Sequence, residues 1–363
     1  MSTRPVNFAP GPSILDLSVM EQASKDVVAM EGLGLSILEI SHRSPTFDRI
    51  LNDARDGLRA LLRVPDTHDI LFLQGGARGQ FAQVPLNFLR PGQTAAYVDT
   101  GAWSKYALAE AQVLGEAVAV ASSQDDGYSH LPDLSGIQLP ADVAYVHTTS
   151  NNTIYGTQWQ ELPDFGAVPH VCDMSSDILS RPVDVSRFRL IYAGAQKNAG
   201  PAGVTLAIID KAWMETARVD IPSIWRYAVQ AKKGSTYNTP PVFAIYVVGL
   251  VVKWLLELGG VDAIHARNER KAAMLYDAID GSGGFYRGAV TDPAHRSRMN
   301  VTWRLPSEDL EKRFVDQAAE AGLVSLKGHR SVGGIRASIY NALPVEGVER
   351  LVAFMDTFRA QHA

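Results

Sequence analysis

Three short stretches of the chain gather residue types that can do chemistry together. The first is Gln74-Gly75-Gly76-Ala77-Arg78-Gly79-Gln80, set between an apolar run, Ile70–Leu73, and a helical stretch expected over Gln80–Phe88. Glycines let the backbone turn tightly and approach a ligand, and free N–H groups at a helix start attract an anion such as phosphate. The run has neither the Gly-Lys-Ser/Thr of a Walker A loop nor the G-x-G-x-x-G of a dinucleotide fold, so an ordinary turn fits it equally well. The second stretch is Val171-Cys172-Asp173-Met174-Ser175-Ser176-Asp177. An acid just past a buried strand lies at the C-terminal edge of the sheet, where open α/β folds place ligands. Such a carboxylate pairs with a protonated ring nitrogen or a metal, or simply caps a turn. The third is Ala193-Gly194-Ala195-Gln196-Lys197-Asn198-Ala199-Gly200-Pro201, a small-residue turn of low charge between two apolar strands. Desolvation there lowers the pKa of an amine and frees it to form a Schiff base with an aldehyde, a property that a solvated surface lysine lacks.

Together these stretches supply what pyridoxal phosphate requires. A glycine-rich helix start holds the phosphate, an aspartate keeps the pyridine nitrogen protonated, and a lysine binds the aldehyde and carries a proton. Trp103, in Thr100-Gly101-Ala102-Trp103-Ser104, follows another strand end and can stack on the ring face or pack as ordinary core.

An α/β scaffold must position these groups. Six apolar runs read as strands: Ile70–Leu73, Ala95–Val98, Val143–Val146, Val168–Cys172, Leu190–Tyr192 and Val204–Ile209. Helix-like stretches between them predict a mostly parallel sheet covered on both faces. Pro45–Val64 predicts an amphipathic helix with Ser44 as N-cap and Pro45 in its first turn. A boundary falls in or near a helix at Val261–Ser282. Beyond it, strands at Met299–Leu305 and Ile335–Ile339 and helices at Ser307–Ala321 and Val345–Phe358 predict a small α+β module. The expected division is a large cofactor domain over 16–260 and a small C-terminal domain over 261–363. Segment 1–15 is expected to pack near a site in the cleft between them.

The chain has 363 residues, 46% of them apolar and 20% charged, which is enough material for such a core. With 34 Lys plus Arg against 39 Asp plus Glu, the net charge of −5 argues against nucleic acid or an acidic membrane as partner. The single cysteine, Cys172, excludes an intramolecular disulfide and a Cys-cluster metal site, and fits a reducing compartment. The start, MSTRPVNFAPGPS, lacks the apolar stretch of a secretory signal, and the longest apolar run, Val242–Val252, is too short to span a bilayer. A cytoplasmic protein with no metal is expected.

Longer segments make the resemblance specific. NFAPGPS near the start, LEISHRS at Leu38–Ser44, FLQGGARGQF at Phe72–Phe81 and DTGAWS at Asp99–Ser104 come first. DMSSDILSRPVDVSRF at Asp173–Phe188, IYAGAQKNAGPAG at Ile191–Gly203, YNTPPVFAIY at Tyr237–Tyr246 and GHRSVGGIRASIYNA at Gly328–Ala342 follow. In this order and spacing the chain resembles, nearly end to end, the phosphoserine aminotransferase family of class V, fold-type I pyridoxal-phosphate enzymes. The resemblance implies a large domain with a mostly parallel seven-stranded sheet plus a small α+β C-terminal domain. It implies that Lys197 is the Schiff-base lysine, Asp173 the partner of the ring nitrogen and Trp103 the stacking residue. Thr153 would bond the region of the cofactor's 3′-oxygen. Gly76, Ala77, Arg78 and Gln196 would hold the phosphate. Asn238 and Thr239 would reach the phosphate of the partner subunit's cofactor, which makes a homodimer with shared active sites.

Glutamate, phosphohydroxypyruvate and phosphoserine, the substrates so implied, carry two or more anionic groups each. Arg336 would hold the α-carboxylate, and His42, Arg43, Arg78, His329 and Arg330 the phosphate or the glutamate side chain, since arginine offers a planar fork to either. The phosphorylated hydroxythreonine precursor of pyridoxine synthesis fits the same description. One departure stands out: where the family usually has Asn-Glu-Thr, this chain has Asn151-Asn152-Thr153. With Thr153 retained, activity is expected. A cysteine desulfurase needs a mobile nucleophilic cysteine, whereas Cys172 lies within a strand beside Asp173 and alternation points it away from the cofactor side. A dehydrogenase lacks its dinucleotide fingerprint here, and a non-catalytic binding protein on the same scaffold would not need Lys197.

Overall fold

The computed structural model describes residues 4–363. The chain runs through β1 (Val6–Asn7), α1 (Leu17–Val28), α2 (Pro45–Leu62), β2 (His68–Leu73), α3 (Gly76–Phe88), β3 (Thr94–Asp99), α4 (Ala102–Leu114) and β4 (Glu116–Ser122). It continues through β5 (Val143–Thr149), β6 (His170–Asp173), β7 (Leu190–Gly194), β8 (Thr205–Asp210), α5 (Lys211–Glu215), α6 (Tyr227–Lys232), α7 (Val242–Glu257) and α8 (Gly260–Asp280). The last part holds β9 (Arg287–Gly288), β10 (Asn300–Arg304), α9 (Glu308–Glu320), β11 (Leu323–Val324), β12 (Ile335–Ser338) and α10 (Val345–His362).

Seven strands form the main sheet in the order β2-β8-β7-β6-β5-β3-β4. Only β8 runs against its neighbours, so the other six point the same way and their C-terminal ends share one edge. Alternation sends Val171 and Tyr192 under α3 and α4 and sends Cys172 and Ile191 to the opposite face, beneath α2 and α7. The strands are apolar on both sides because helices cover both. The apolar run within α7 is part of this core, and no single helix among the described residues is long and apolar enough to cross a membrane.

A second core gathers Trp303, Phe314, Leu351 and Phe358 of the C-terminal module with Val6 and Phe8 from the start of the chain. There β1 pairs with β11, and β12-β10-β9 make a small antiparallel sheet. Helix α8 serves both cores, with Val261 and Ile264 in the first and Leu275 and Ile279 in the second.

Several boundaries differ from expectation. Helix α2 takes Ser44 as its cap at 3.2 Å from the Phe47 N–H, but stops at Leu62 because Arg63 turns left-handed at φ 51°. Strand β6 starts at His170 rather than Val168, since Pro169 has no N–H to give the ladder, and Asp173 is its last residue rather than the one after. Helix α3 begins at Gly76, four residues ahead of Gln80, so the glycine motif itself forms its first turn. The edge strand β4 went unread. Its Ala-Val alternation is half exposed and has none of the continuous branched pattern of the central strands.

Candidate active site

The C-terminal edge of the sheet brings Lys197, Asp173, Thr153 and Trp103 together. Lys197 lies in the tight turn after β7, half-buried, and its Nζ donates to Thr153 Oγ1 at 2.7 Å. The ammonium lies 5.0 Å from the centre of the Trp103 ring. Burial pushes the Lys197 pKa down to about 8 and Arg336 pushes the same way, while Asp173 and Asp177 pull it back up. The N-terminal segment closes over this turn. Ser13 donates its N–H to Gln196 O at 3.0 Å and its hydroxyl to Lys197 O.

Asp173 is 5% exposed, and its Oδ1 accepts both the N–H (2.9 Å) and the hydroxyl (2.6 Å) of Ser175. Burial raises its pKa above the usual carboxylate range, opposed chiefly by the Lys197 charge. Oδ2 accepts no hydrogen bond from the described residues. Trp103 stands in the first turn of α4, and its buried indole N–H has no partner among the described residues. In the first turn of α3 the N–H groups of Gly76, Ala77 and Arg78 have no acceptor among the described residues, and a Cβ on Gly76 would meet only open space. An aldehyde-binding amine, a free buried carboxylate oxygen and a helix start that offers three donors to a phosphate all fit pyridoxal phosphate. No group of three or more His, Cys, Asp or Glu among the described residues could hold a metal.

The anion-binding candidates divide into two sets. Arg336, 7% exposed on β12, donates from Nη1 to the Thr153 carbonyl at 3.2 Å and so stands beside Lys197. His329 lines the same cleft of about 200 Å³ with Tyr155 and Thr302, its Nδ1 2.7 Å from Ser331 Oγ. Burial, helped by the charges of Arg336 and Arg330, lowers its pKa. Arg330 next to it is exposed. Arg78 points its guanidinium at the Tyr106 ring, 4.6 Å from the centroid, and at Trp103 at 5.9 Å. His42 and Arg43 sit in the turn before α2, where the Arg43 side chain has no partner among the described residues. Asn238 donates to Gln74 Oε1 at 3.2 Å, and Gln74 Nε2 donates to the Thr239 carbonyl at 2.9 Å. That places both residues beside Gln74, where the glycine turn of their own chain begins.

Asn152, which replaces the expected glutamate, is 1% exposed and fully used: Thr100 Oγ1 donates to its Oδ1 at 3.2 Å and its Nδ2 donates to Thr157 Oγ1 at 3.0 Å. Cys172 is buried in the core behind the sheet, where burial raises its pKa, far from a reactive thiolate. Sequence reasoning missed several supports. Ser175 fixes Asp173 by an Asx turn that the Asp-Met-Ser spacing already permits. Ser104 Oγ, 2.8 Å from Asp99 Oδ1, accepts the N–H groups of Thr100 and Gly101 at 3.0 Å and so builds the turn that presents Trp103. No local pattern could reveal Tyr106, one helical turn from Trp103, as the seat of Arg78.

A mostly parallel sheet with a desolvated lysine, a buried carboxylate and a phosphate-ready helix start at one edge defines a pyridoxal-phosphate-dependent transferase of fold type I. The sequence pattern described as Aminotransferase class-V matches residues 6–351. Phosphoserine aminotransferases from Lysinibacillus sphaericus and Bacillus subtilis are 52% and 49% identical to the chain, the first covering 100% of both chains and the second 99% of both. The solved phosphoserine aminotransferase of Bacillus circulans subsp. alkalophilus superposes with a TM-score of 0.97 at 50% identity, covering 99% of each chain. The chain belongs to the class-V aminotransferases, and within them to the phosphoserine aminotransferase family.

Proposed function

We propose that this protein transfers an amino group reversibly between glutamate and 3-phosphohydroxypyruvate, giving O-phosphoserine and 2-oxoglutarate in serine biosynthesis. The observation that carries this reading is the double use of Thr153. Its hydroxyl accepts from the Lys197 amine at 2.7 Å while its carbonyl accepts from the Arg336 guanidinium at 3.2 Å. A base and a carboxylate clamp are thus held by one residue, as a reaction at the carbon between an amine and a carboxylate demands.

When bound, pyridoxal phosphate supplies an aldehyde for amines and a protonated ring that draws electrons from the substrate's α-carbon. The first turn of α3, with Gln196, would hold its phosphate and Trp103 would pack on its ring. Asp173 would supply a negative charge to its ring nitrogen. Arg336 grips the α-carboxylate. The Lys197 amine, near neutrality in its proton affinity, takes the proton from the substrate's Cα and returns it. Burial of the site excludes bulk water and strengthens each of these charge contacts.

The test is a visible spectrum of the purified protein with pyridoxal phosphate, before and after glutamate. The expected outcome is a yellow band that glutamate bleaches and phosphohydroxypyruvate restores. A colourless protein that takes up no cofactor would sink the assignment.

The working unit in this reading is a cytoplasmic homodimer, cytoplasm being where a single free thiol stays reduced. Two features support the dimer: the Arg43 side chain has no partner among the described residues, and Asn238 and the exposed Thr239 are bonded to Gln74 at the glycine turn. A second copy would bring these residues to its partner's site through an isologous interface. Mixing an Asn238→Ala/Thr239→Ala protein with a Lys197→Ala protein tests the sharing. Hybrids are expected to regain up to about a quarter of wild-type activity, on the assumption that one of two sites is intact in half the dimers. Hybrids as inactive as both parents speak against composite sites.

A further inference from the structure

The loop after β5 and the small sheet meet in a regular pattern that none of the expected roles requires. Strands β10 and β12 pair with Asn300 opposite Ser338 and Thr302 opposite Arg336. Residues two apart on a strand share a face, so all four point the same way. That face lies on residues 151–155 of the large domain. Asn151 Nδ2 donates to Asn300 Oδ1 at 2.7 Å, Arg336 Nη1 to Thr153 O at 3.2 Å, and Thr302 Oγ1 to Tyr155 O at 2.9 Å. Three rungs at residues 151, 153 and 155 therefore zip one domain to the other, with the middle rung made by the two residues that hold the substrate carboxylate and the Lys197 amine.

The outer rungs are built tightly. Asn300 Nδ2 is also fixed, to Ser338 Oγ at 2.9 Å and Tyr340 Oη at 3.2 Å. Asn151 is clamped further by Ser176 and Ser297. Gly156 closes the loop at φ +87°, and a Cβ there would come within 2.6 Å of Thr302 Oγ1 and 3.0 Å of Asn300 O, so the backbones can approach this closely only with glycine. In these outer rungs the buried side chains have their partners, while Arg336 Nε in the middle rung has none among the described residues, so a slip of the outer rungs would leave further polar groups unpaired.

We infer that Thr302 and Asn300 are positioning residues for this reaction: by docking the small sheet on residues 151–155 they set the distance between the Arg336 guanidinium and the Lys197 amine, and with it the affinity for the substrate's α-carboxylate. The inference rests on the transaminase reading above. Neither residue contacts Lys197, so each acts through Arg336 and Thr153.

The decisive variant is Thr302→Val, which keeps the side chain's shape and removes one hydroxyl. Maleate, an unreactive dicarboxylate, is the probe for the holoenzyme. Losing one rung is expected to weaken maleate about five- to tenfold. The KM for glutamate should rise in step, with kcat within about twofold and cofactor affinity unchanged. In an Arg336→Ala background the same substitution should weaken maleate no further, because the residue it acts through is gone. Gly156→Ala, which wedges the docking apart, should lower maleate affinity more than Thr302→Val. The proposal is overturned if Thr302→Val leaves maleate affinity unchanged, or weakens it equally in the Arg336→Ala background. A loss of kcat at constant KM would overturn it too. Absence of glutamate turnover in the wild type would instead refute the transaminase reading, while the maleate cycle still judges the zipper. A wild type that binds no dicarboxylate refutes both.

Discussion

Lys197→Ala is expected to lower kcat for the glutamate–phosphohydroxypyruvate exchange by about 10⁴-fold or more, because one amine does two tasks. In the proposed reaction it would bond to the cofactor aldehyde, and its Nζ, 2.7 Å from Thr153 Oγ1, would also move the proton at the substrate's α-carbon. The size of the effect follows from its environment. An ordinary lysine has a pKa near 10.5, but burial brings Lys197 down to about 8. At pH 7 that shift raises the neutral, reactive fraction roughly 300-fold. The sign fixes a pH test. Uptake of pyridoxal phosphate by the apoprotein should quicken as pH rises towards about 8 and level off above it, whereas an unperturbed lysine would keep gaining to pH 10. Stopped-flow absorbance reads this directly. Lys197→Ala should still hold the cofactor without a covalent link, since the α3 N-terminus, Asp173 and Trp103 remain. A variant that kept wild-type turnover would remove Lys197 from the mechanism.

What could be read from the sequence was local. The turn at Lys197, the strand end at Asp173 and the glycine turn each advertise themselves through a few adjacent residues whose conformational or electrostatic needs are narrow. Central strands such as β7 and β8 were visible because both faces are buried and the run is continuously apolar. Edge strand β4, with one face in water, gave a weaker pattern. The start of α3 was placed late for a related reason. Glycine has poor helix propensity, yet Gly75 at φ 93° supplies the turn that lets Gly76 begin the helix. Contacts between distant segments had no local signal at all. Nothing around Thr302 announces Tyr155, and nothing around Arg78 announces Tyr106 one helix away. The arginines show the limit most clearly. Arg336 and Arg330 looked alike as residue types, but β12 buries the first against Thr153 and the loop leaves the second in solvent.

Asp173→Asn should be the next most damaging change, with kcat falling on the order of 10²- to 10³-fold, the usual cost of losing one preorganised charge contact in a dry site. The substitution is nearly isosteric, so β6 and its pairing to Thr149 and Tyr192 should survive. What disappears is the negative charge. Among the described residues Ser175 engages only Oδ1, so Oδ2 would be left for the ring nitrogen in the proposed site, and burial makes that charge count for more than it would in water. The same burial raises the Asp173 pKa, and Lys197 and Ser175 are what resist protonation. Activity should therefore fall at acid pH as this carboxylate takes up a proton, and the fall should begin at a higher pH in Ser175→Ala, which loses a hydroxyl that stabilises the anion. A cofactor methylated at its ring nitrogen carries a fixed positive charge and needs no carboxylate to keep it. It should restore a substantial part of the activity of Asp173→Asn while doing little for Lys197→Ala. Equal failure of the methylated cofactor with both variants would mean that Asp173 holds the strand end rather than the charge.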